Sequence, residues 1–170
     1  RDQILFLNGE VGTEKEEFAK YIHHKKHNGG DNFATFQLNL LISNQRENES
    51  ITSGLIKTID TLEKGTIFLS GYSELIPKQQ TQAHNFLQNL SLDQGVKFVV
   101  GVNPNTKNKS LEQNEELSTI FSDSTFINLP PLRQYLQDIP ELLKGVIHYF
   151  GITEGLTPRR FSLAAQNILT

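Results

Sequence analysis

Five short runs along the chain are apolar at most positions: "ILFLNG" (4–9), "FATFQL" (33–38), "TIFLSGY" (66–72), "VKFVVGVN" (96–103) and "FINLP" (126–130). Each is rich in Ile, Val or Phe and is stopped by turn residues, the pattern of short strands. Runs that are apolar on both faces fit a parallel sheet covered by helices on each side. Between them lie amphipathic stretches at roughly 15–26, 51–63, 78–90, 111–120 and 139–149. The last is expected to start with Asp138 as N-cap and to hold Pro140 and Glu141 in its first turn. Polar connectors occupy 43–50 and 103–110, and "GITEGLTP" (151–158) reads as a hinge before one more helix at 158–169. No internal repeat is present. The pattern predicts an α/β, doubly wound fold: a five-stranded parallel sheet with helices on both faces.

Composition narrows the function without naming it. A chain of 170 residues suits one domain and a fragment of another, with a net charge of -3 and both signs interspersed. Nothing in that balance marks a nucleic-acid or membrane surface, so DNA is expected only through another domain of a longer protein. No apolar run approaches a membrane span and no signal peptide is visible. The absence of cysteine rules out disulfides and thiolate metal sites, and a cytoplasmic location is the expectation. Because Arg1 stands directly before a strand-like run, the chain is expected to be a piece of a longer protein.

The chemistry concentrates after the first strand, in "GEVGTEKE" (9–16). Gly9 and Lys15 are in register with the phosphate-binding pattern Gly-x-x-x-x-Gly-Lys-[Ser/Thr], but Glu14 replaces its second glycine and Glu16 its hydroxyl. A glycine-rich turn that leaves a strand and opens a helix points several backbone N–H groups at one spot. The helix dipole adds positive potential there, and a lysine at position 15 reaches the outer phosphates. Gly9, Glu10, Val11, Gly12, Thr13, Glu14, Lys15 and Glu16 are therefore the candidate nucleotide-binding residues. A carboxylate roughly 6 Å from a phosphate charge, at an effective dielectric of about 20, repels it by about 3 kcal/mol. Glu14 can shed most of that by swinging into water, so the expected binding of ATP or ADP is weakened and not abolished.

Further segments carry a family resemblance. "AKYIHH" (19–24) is similar to Ala-x-x-Ile-His, and "KGTIFLSGYSEL" (64–75) to Gly-Gly-Thr-Leu-Phe-Leu-Asp-Glu-Ile-x-Glu-Leu. "VKFVVGVN" resembles a strand ending Ala-Thr-Asn. "INLPPLRQYLQDIPELL" (127–143) resembles Leu-Pro-Pro-Leu-Arg-x-Arg-x-x-Asp-Ile-Pro-x-Leu, the most specific stretch. "GLTPRRFSLAAQNIL" (155–169) looks like the opening of a small helical lid. In this order and over nearly the whole chain, these resemble the AAA+ domain of bacterial enhancer-binding proteins, the sigma-54-dependent transcription activators. The resemblance implies a P-loop NTPase sheet in the order 5-1-4-3-2. It also implies a large subdomain over 1–150, and a hinge with the first helix of a truncated lid over 151–170. Self-association or partner domains of the regulator are implied as well, such as an upstream receiver domain of a two-component system and a downstream helix-turn-helix. In the family loop, Gly-Glu-Ser-Gly-Thr-Gly-Lys-Glu, Glu16 is ordinary, and Val11 and Glu14 are the departures.

Other departures bear on catalysis. The family's third strand ends Asp-Glu, the Asp holding magnesium and the Glu orienting water; here Ser70 and Gly71 stand there. Phosphoryl transfer relies on positioning and on charge compensation by the metal, so little dependence on magnesium and no catalytic residue are expected. The family's sensor asparagine is matched by Asn103, and the asparagine of its second strand falls on Gln37. From Glu112 to Pro131 no arginine is available to reach a neighbour's phosphate. The two loops by which the family engages the sigma factor also have no counterpart. Between Gln37 and Gly65 no Gly-Ala-Phe-Thr-Gly-Ala occurs, and "NLSLDQ" (89–94) stands where a longer hairpin belongs.

The resulting reading is a degenerate, non-hydrolysing module that does not remodel sigma-54 polymerase and serves oligomerisation, nucleotide sensing or scaffolding. The alternative is an unusual working ATPase that recruits an acid from elsewhere, for example Glu74. Three weaker candidates have plainer explanations. His23 and His27 share a metal-like i, i+4 spacing, yet no third ligand is evident and a core role for His23 is expected. Asp138 with Glu141 reads as a helix start, and "NPNTKNKS" (103–110) as a solvated loop.

Overall fold

The computed structural model describes residues 4–27, 32–43, 56–62, 65–94, 96–104, 124–155, 157 and 160–165. Strands β1 (Ile4–Asn8), β2 (Phe33–Gln37), β3 (Thr66–Ser70), β4 (Lys97–Val102) and β5 (Thr125–Asn128) form one sheet in the order β2-β3-β4-β1-β5. Every pairing is parallel, with Phe6 opposite Val100 on one side and Phe126 on the other. This is the order the family resemblance implies, with β1 inside the sheet. The first, third and fourth strands end before the glycines and asparagine of their apolar runs. Gly9, Gly71 and Asn103 instead turn the chain away from the carboxyl edge.

Alternation along each strand divides the core. Ile4, Phe6, Ile67, Leu69, Phe98, Val100 and Val102 lie in one buried cluster, with Leu38, Ile59, Leu62, Ala83 and Leu87 from the helices. Leu7, Phe68 and Val99 lie in a second cluster with Ala19, flanked by Leu5, Phe18 and Ile22. A strand buried on both faces has no polar side to offer, which is why these runs read as continuous and not alternating. The covering helices are α1 (Lys15–His27), α2 (Leu38–Ser43), α3 (56–62) and α4 (Pro77–Gln94). Pro77 at the first helical position has no N–H to leave unpaired and already has a helical φ. Helix α4 runs unbroken to Gln94, so only Gly95 and Val96 separate it from β4.

Helix α2 was not expected: "FATFQL" reads as one strand to Leu38, but the chain turns helical there and buries that leucine. Over so few residues, apolar periodicity does not separate strand from helix. The predicted stretch at 111–120 and most of the 103–110 connector lie outside the described residues; of the helix expected at 158–169 half is described, and there 160–162 are irregular while 163–165 are helical. His23 is a core residue: it is 1% exposed, with Nδ1 3.0 Å from Thr66 Oγ1 and its ring edge-on to Phe33. The side chain of His27 is outside the described residues.

By its contacts the chain separates into two compact units, Arg1–Leu129 and Pro130–Thr170. The second opens with 3-10 turns at Leu132–Gln134 and Leu136–Asp138 and continues into α5 (Ile139–Thr153). Asp138 does stand at the N-cap with Pro140 in the first turn. Its side chain makes no capping bond, because its backbone is already helical (φ -86°, ψ -14°) where a cap needs an extended residue.

Phe6 anchors the larger core. Its ring stacks on Phe126 at 4.9 Å and on His84 at 6.5 Å, and meets Tyr72 edge-on at 5.7 Å. Phe6→Ala is expected to lower unfolding stability by about 3–5 kcal/mol in urea titration. Burial also holds the His84 imidazole below its ordinary pKa, since the folded chain disfavours the charged ring. The unfolded chain takes up that proton as pH falls through about 6.5, before the folded chain does, so stability should decline on acidification below that point. His84→Leu should remove this component of the slope; an unchanged pH profile in that variant would contradict the assignment.

Candidate functional site

The loop after β1 is shaped by its own backbone. Gly9 N–H donates to Val102 O at 3.0 Å, which ties the start of the loop to β4. The Glu10 carbonyl then accepts from Thr13 N–H at 3.3 Å, from Thr13 Oγ1 at 2.8 Å and from Lys15 Nζ at 2.7 Å. Lys15 Nζ also donates to Gly9 O at 2.7 Å. A Cβ at Gly9 would overlap Thr13 Oγ1, so the tight curl requires glycine there. Gly12 has φ +85°, as a left-handed turn residue. Glu14 has φ +52°: the backbone keeps the left-handed shape suited to glycine although the residue is a glutamate. Helix α1 starts directly after it, at Lys15, and its first N–H groups have no partner within the helix.

Beside this loop is a cleft of about 370 Å³. Val11, Gly12, Glu14, Lys15 and Glu16 line it from the loop and the first turn of α1. Phe68, Ser70, Gly71, Ser73 and Glu74 line it from β3 and the turn that follows, and Gly101 from β4 with Asn103 just past its end. A Cβ on Gly101 would press on the Phe68 ring at 3.1 Å, so this glycine makes room for that ring at the floor of the cleft. Partial burial lowers the Lys15 pKa from its ordinary value. Asn103 is fixed by its backbone, whose N–H donates to Ser73 Oγ at 2.8 Å. Glu16 is engaged sideways, accepting from Thr35 Oγ1 at 3.2 Å and pairing with Lys20 at 3.2 Å.

The exit of β3 carries no carboxylate at 70 or 71. Ser70 Oγ faces Phe36 O at 3.5 Å, at the limit of a hydrogen bond. Gly71 has φ +77°, and a Cβ there would lie 2.6 Å from Asn39 Oδ1. Asn39 thus fills the space a side chain at 71 would need, and its Nδ2 donates to Glu74 Oε2 at 2.6 Å. Magnesium seeks near-octahedral oxygen ligands anchored by one or two carboxylates. A hydroxyl near a backbone carbonyl and a glycine do not fit that requirement. The other wall has the chemistry a phosphate chain calls for: the lysine side chain and the start of a helix.

Of the residues singled out from sequence, Val11, Gly12, Glu14, Lys15, Glu16 and Asn103 line one cleft. Gly9, Glu10 and Thr13 stand behind it and set the loop's shape. Asn39, Ser73 and Gly101 were not anticipated as parts of the site. Asn39 lies two residues past Gln37, beyond the point where the strand was expected to end, and only the unforeseen start of α2 brings it to Gly71.

A family model described as the sigma-54 interaction domain matches residues 2–132. Nitrogen fixation protein AnfA of Azotobacter vinelandii is 29% identical, over 98% of this chain and 35% of that protein. The DNA-binding transcriptional regulator NtrC of Rhizobium meliloti is 27% identical, over 99% of this chain and 39% of that protein. The transcriptional regulatory protein FlbD of Caulobacter vibrioides is 24% identical, over 97% and 41%. The chain therefore spans about two fifths of the length of these relatives. Among solved structures, NtrX from Brucella abortus in complex with ADP superposes with a TM-score of 0.70 at 18% identity, covering 99% of this chain and 41% of that one. AMPPCP-bound DnaA from Aquifex aeolicus gives 0.57 at 12% identity, covering 99% and 50%. At these identities the structural likeness shows the fold.

Two substitutions test the loop and the β3 exit. Glu14→Gly should raise unfolding stability by about 0.5–1 kcal/mol, because a left-handed non-glycine residue is strained by about 1–2 kcal/mol and glycine returns part of that as unfolded-state entropy. Gly71→Ala should lower stability by about 1–3 kcal/mol, since it combines a positive φ with a collision at Asn39. Urea midpoints at constant m-value check both; a neutral Gly71→Ala would show that Asn39 gives way freely.

Proposed function

This chain belongs to the sigma-54 interaction domain family, and from that premise we propose that it is a nucleotide-binding AAA+ module that does not hydrolyse ATP. The observation that carries the reading is the exit of β3. Ser70 and Gly71 occupy the places where the family has its magnesium and water-orienting carboxylates, and Asn39 packs into the space a residue 71 side chain would take. The retained loop backbone and Lys15 support binding, as do the ADP of NtrX and the AMPPCP of DnaA on the same fold. ATP or ADP is the proposed ligand, held weakly and with little dependence on magnesium.

Inside a longer transcription regulator such a module acts through self-association, nucleotide sensing or scaffolding, with DNA contacted by another domain. It is not expected to remodel sigma-54 polymerase. In support, α4 passes through 89–94 as continuous helix, leaving no room for the family's hairpin, and the other loop is missing from the sequence between Gln37 and Gly65. No helix of the described residues is long and apolar enough to cross a membrane.

A second reading is favoured by one observation: Glu74 lines the same cleft and could serve as the acid of an unusual ATPase. Against it stands the hydrogen bond from Asn39, which already engages the Glu74 carboxylate. Phosphate release at high protein concentration separates the two. The wild type should show no turnover above background. Ser70→Asp with Gly71→Glu should not rescue it, because the arginine-free stretch 112–131 leaves charge compensation missing and these parts act as a unit. Turnover by the wild type that disappears in both Lys15→Ala and Glu74→Gln would establish the working ATPase instead.

A further inference from the structure

Resting on the nucleotide-binding reading, we propose that Glu74, held by Asn39, makes the cleft select a nucleoside diphosphate over a triphosphate. The side chains lining the cleft include the cation Lys15 and the carboxylates Glu14, Glu16 and Glu74. Their freedom to avoid a phosphate differs. Glu14 sits exposed on the loop and can turn its charge into water. Glu16 is drawn aside by Thr35 and Lys20. Glu74 is tethered: Asn39 Nδ2 donates to its Oε2 at 2.6 Å, and Asn39 itself is wedged against Gly71.

Glu74 is exposed, but with this bond in place its carboxylate is held beside the cleft where Glu14 is not, so it repels each added phosphate charge. With no carboxylate at 70 or 71, Glu74 is the acidic group on the β3 side of the cleft, and with divalent cations withheld its charge goes uncompensated there. Lys15 offers one positive charge, already shared with the carbonyls of Gly9 and Glu10. One cation can offset a diphosphate better than a triphosphate. The Asn39–Glu74 pair is thus a specificity determinant acting through charge, and Gly71, by lacking a side chain, lets Asn39 take that position.

The test is calorimetric titration of the purified chain with ADP and with ATP, both in EDTA. A further phosphate charge roughly 10 Å from one carboxylate that is exposed, at an effective dielectric of about 40, corresponds to a preference of about fourfold for ADP. In Glu74→Gln, which keeps the side-chain shape, the two affinities should converge. In Asn39→Ala, which frees the carboxylate, the preference should shrink part of the way. Raising salt from about 0.05 M to about 0.5 M should reduce the wild-type preference through screening, which a purely structural role would not do. ATP binding as tightly as ADP in the wild type overturns this inference and leaves the nucleotide-binding reading standing. An unchanged preference in Glu74→Gln, with its circular dichroism intact, overturns it too. If neither nucleotide binds at millimolar concentration, the reading beneath it fails and the inference fails with it.

Discussion

The Glu10 carbonyl is the acceptor around which the first loop closes. Thr13 bonds to it through both its N–H and its hydroxyl, and Lys15 brings its ammonium to the same oxygen. With Gly9 tied to Val102 on the neighbouring strand, the turn is held at both ends by bonds that involve no ligand. That explains how the loop holds its tight curl with a glutamate at position 14. Glu14 sits in a left-handed conformation it would not choose by itself, because the bonds on either side over-determine its backbone. The sheet order places this loop between β4 and β5, at the carboxyl edge where open α/β sheets receive ligands.

The opposite wall of the cleft differs in kind. At the end of β3, a glycine with positive φ, an asparagine packed against it and a glutamate bonded to that asparagine form one connected unit. Such a unit resists piecemeal change: a carboxylate at 71 would mean displacing Asn39, which would in turn release Glu74. The two walls therefore follow different constraints. One is backbone geometry, and the other is a set of mutually dependent side-chain contacts. Binding without turnover is what this division supports.

Much of this was legible from sequence for definite physical reasons. Strands buried on both faces leave continuous apolar runs, and the family likeness orders them, so the sheet and the position of the loop could be read directly. The helix expected at 78–90, which the structure extends to Pro77–Gln94, and the core role of His23 were readable too. Three things were not. The turn into α2 at Leu38 was hidden because "FATFQL" is too short for its period to tell strand from helix. The pairing of Asn39 with Glu74 depends on that turn and on 35 residues of separation. The missing capping bond at Asp138 reflects its backbone conformation, which residue type does not specify.

The account's central claim is that the retained loop binds a nucleotide which the opposite wall cannot cleave. Phosphorus NMR of ATP with an equal amount of protein, followed over many hours, observes both halves in one sample. The account predicts phosphate resonances that shift or broaden on adding protein, are restored in Lys15→Ala, and persist with no growth of an inorganic phosphate signal. A steadily rising inorganic phosphate signal that is absent in Lys15→Ala would contradict it.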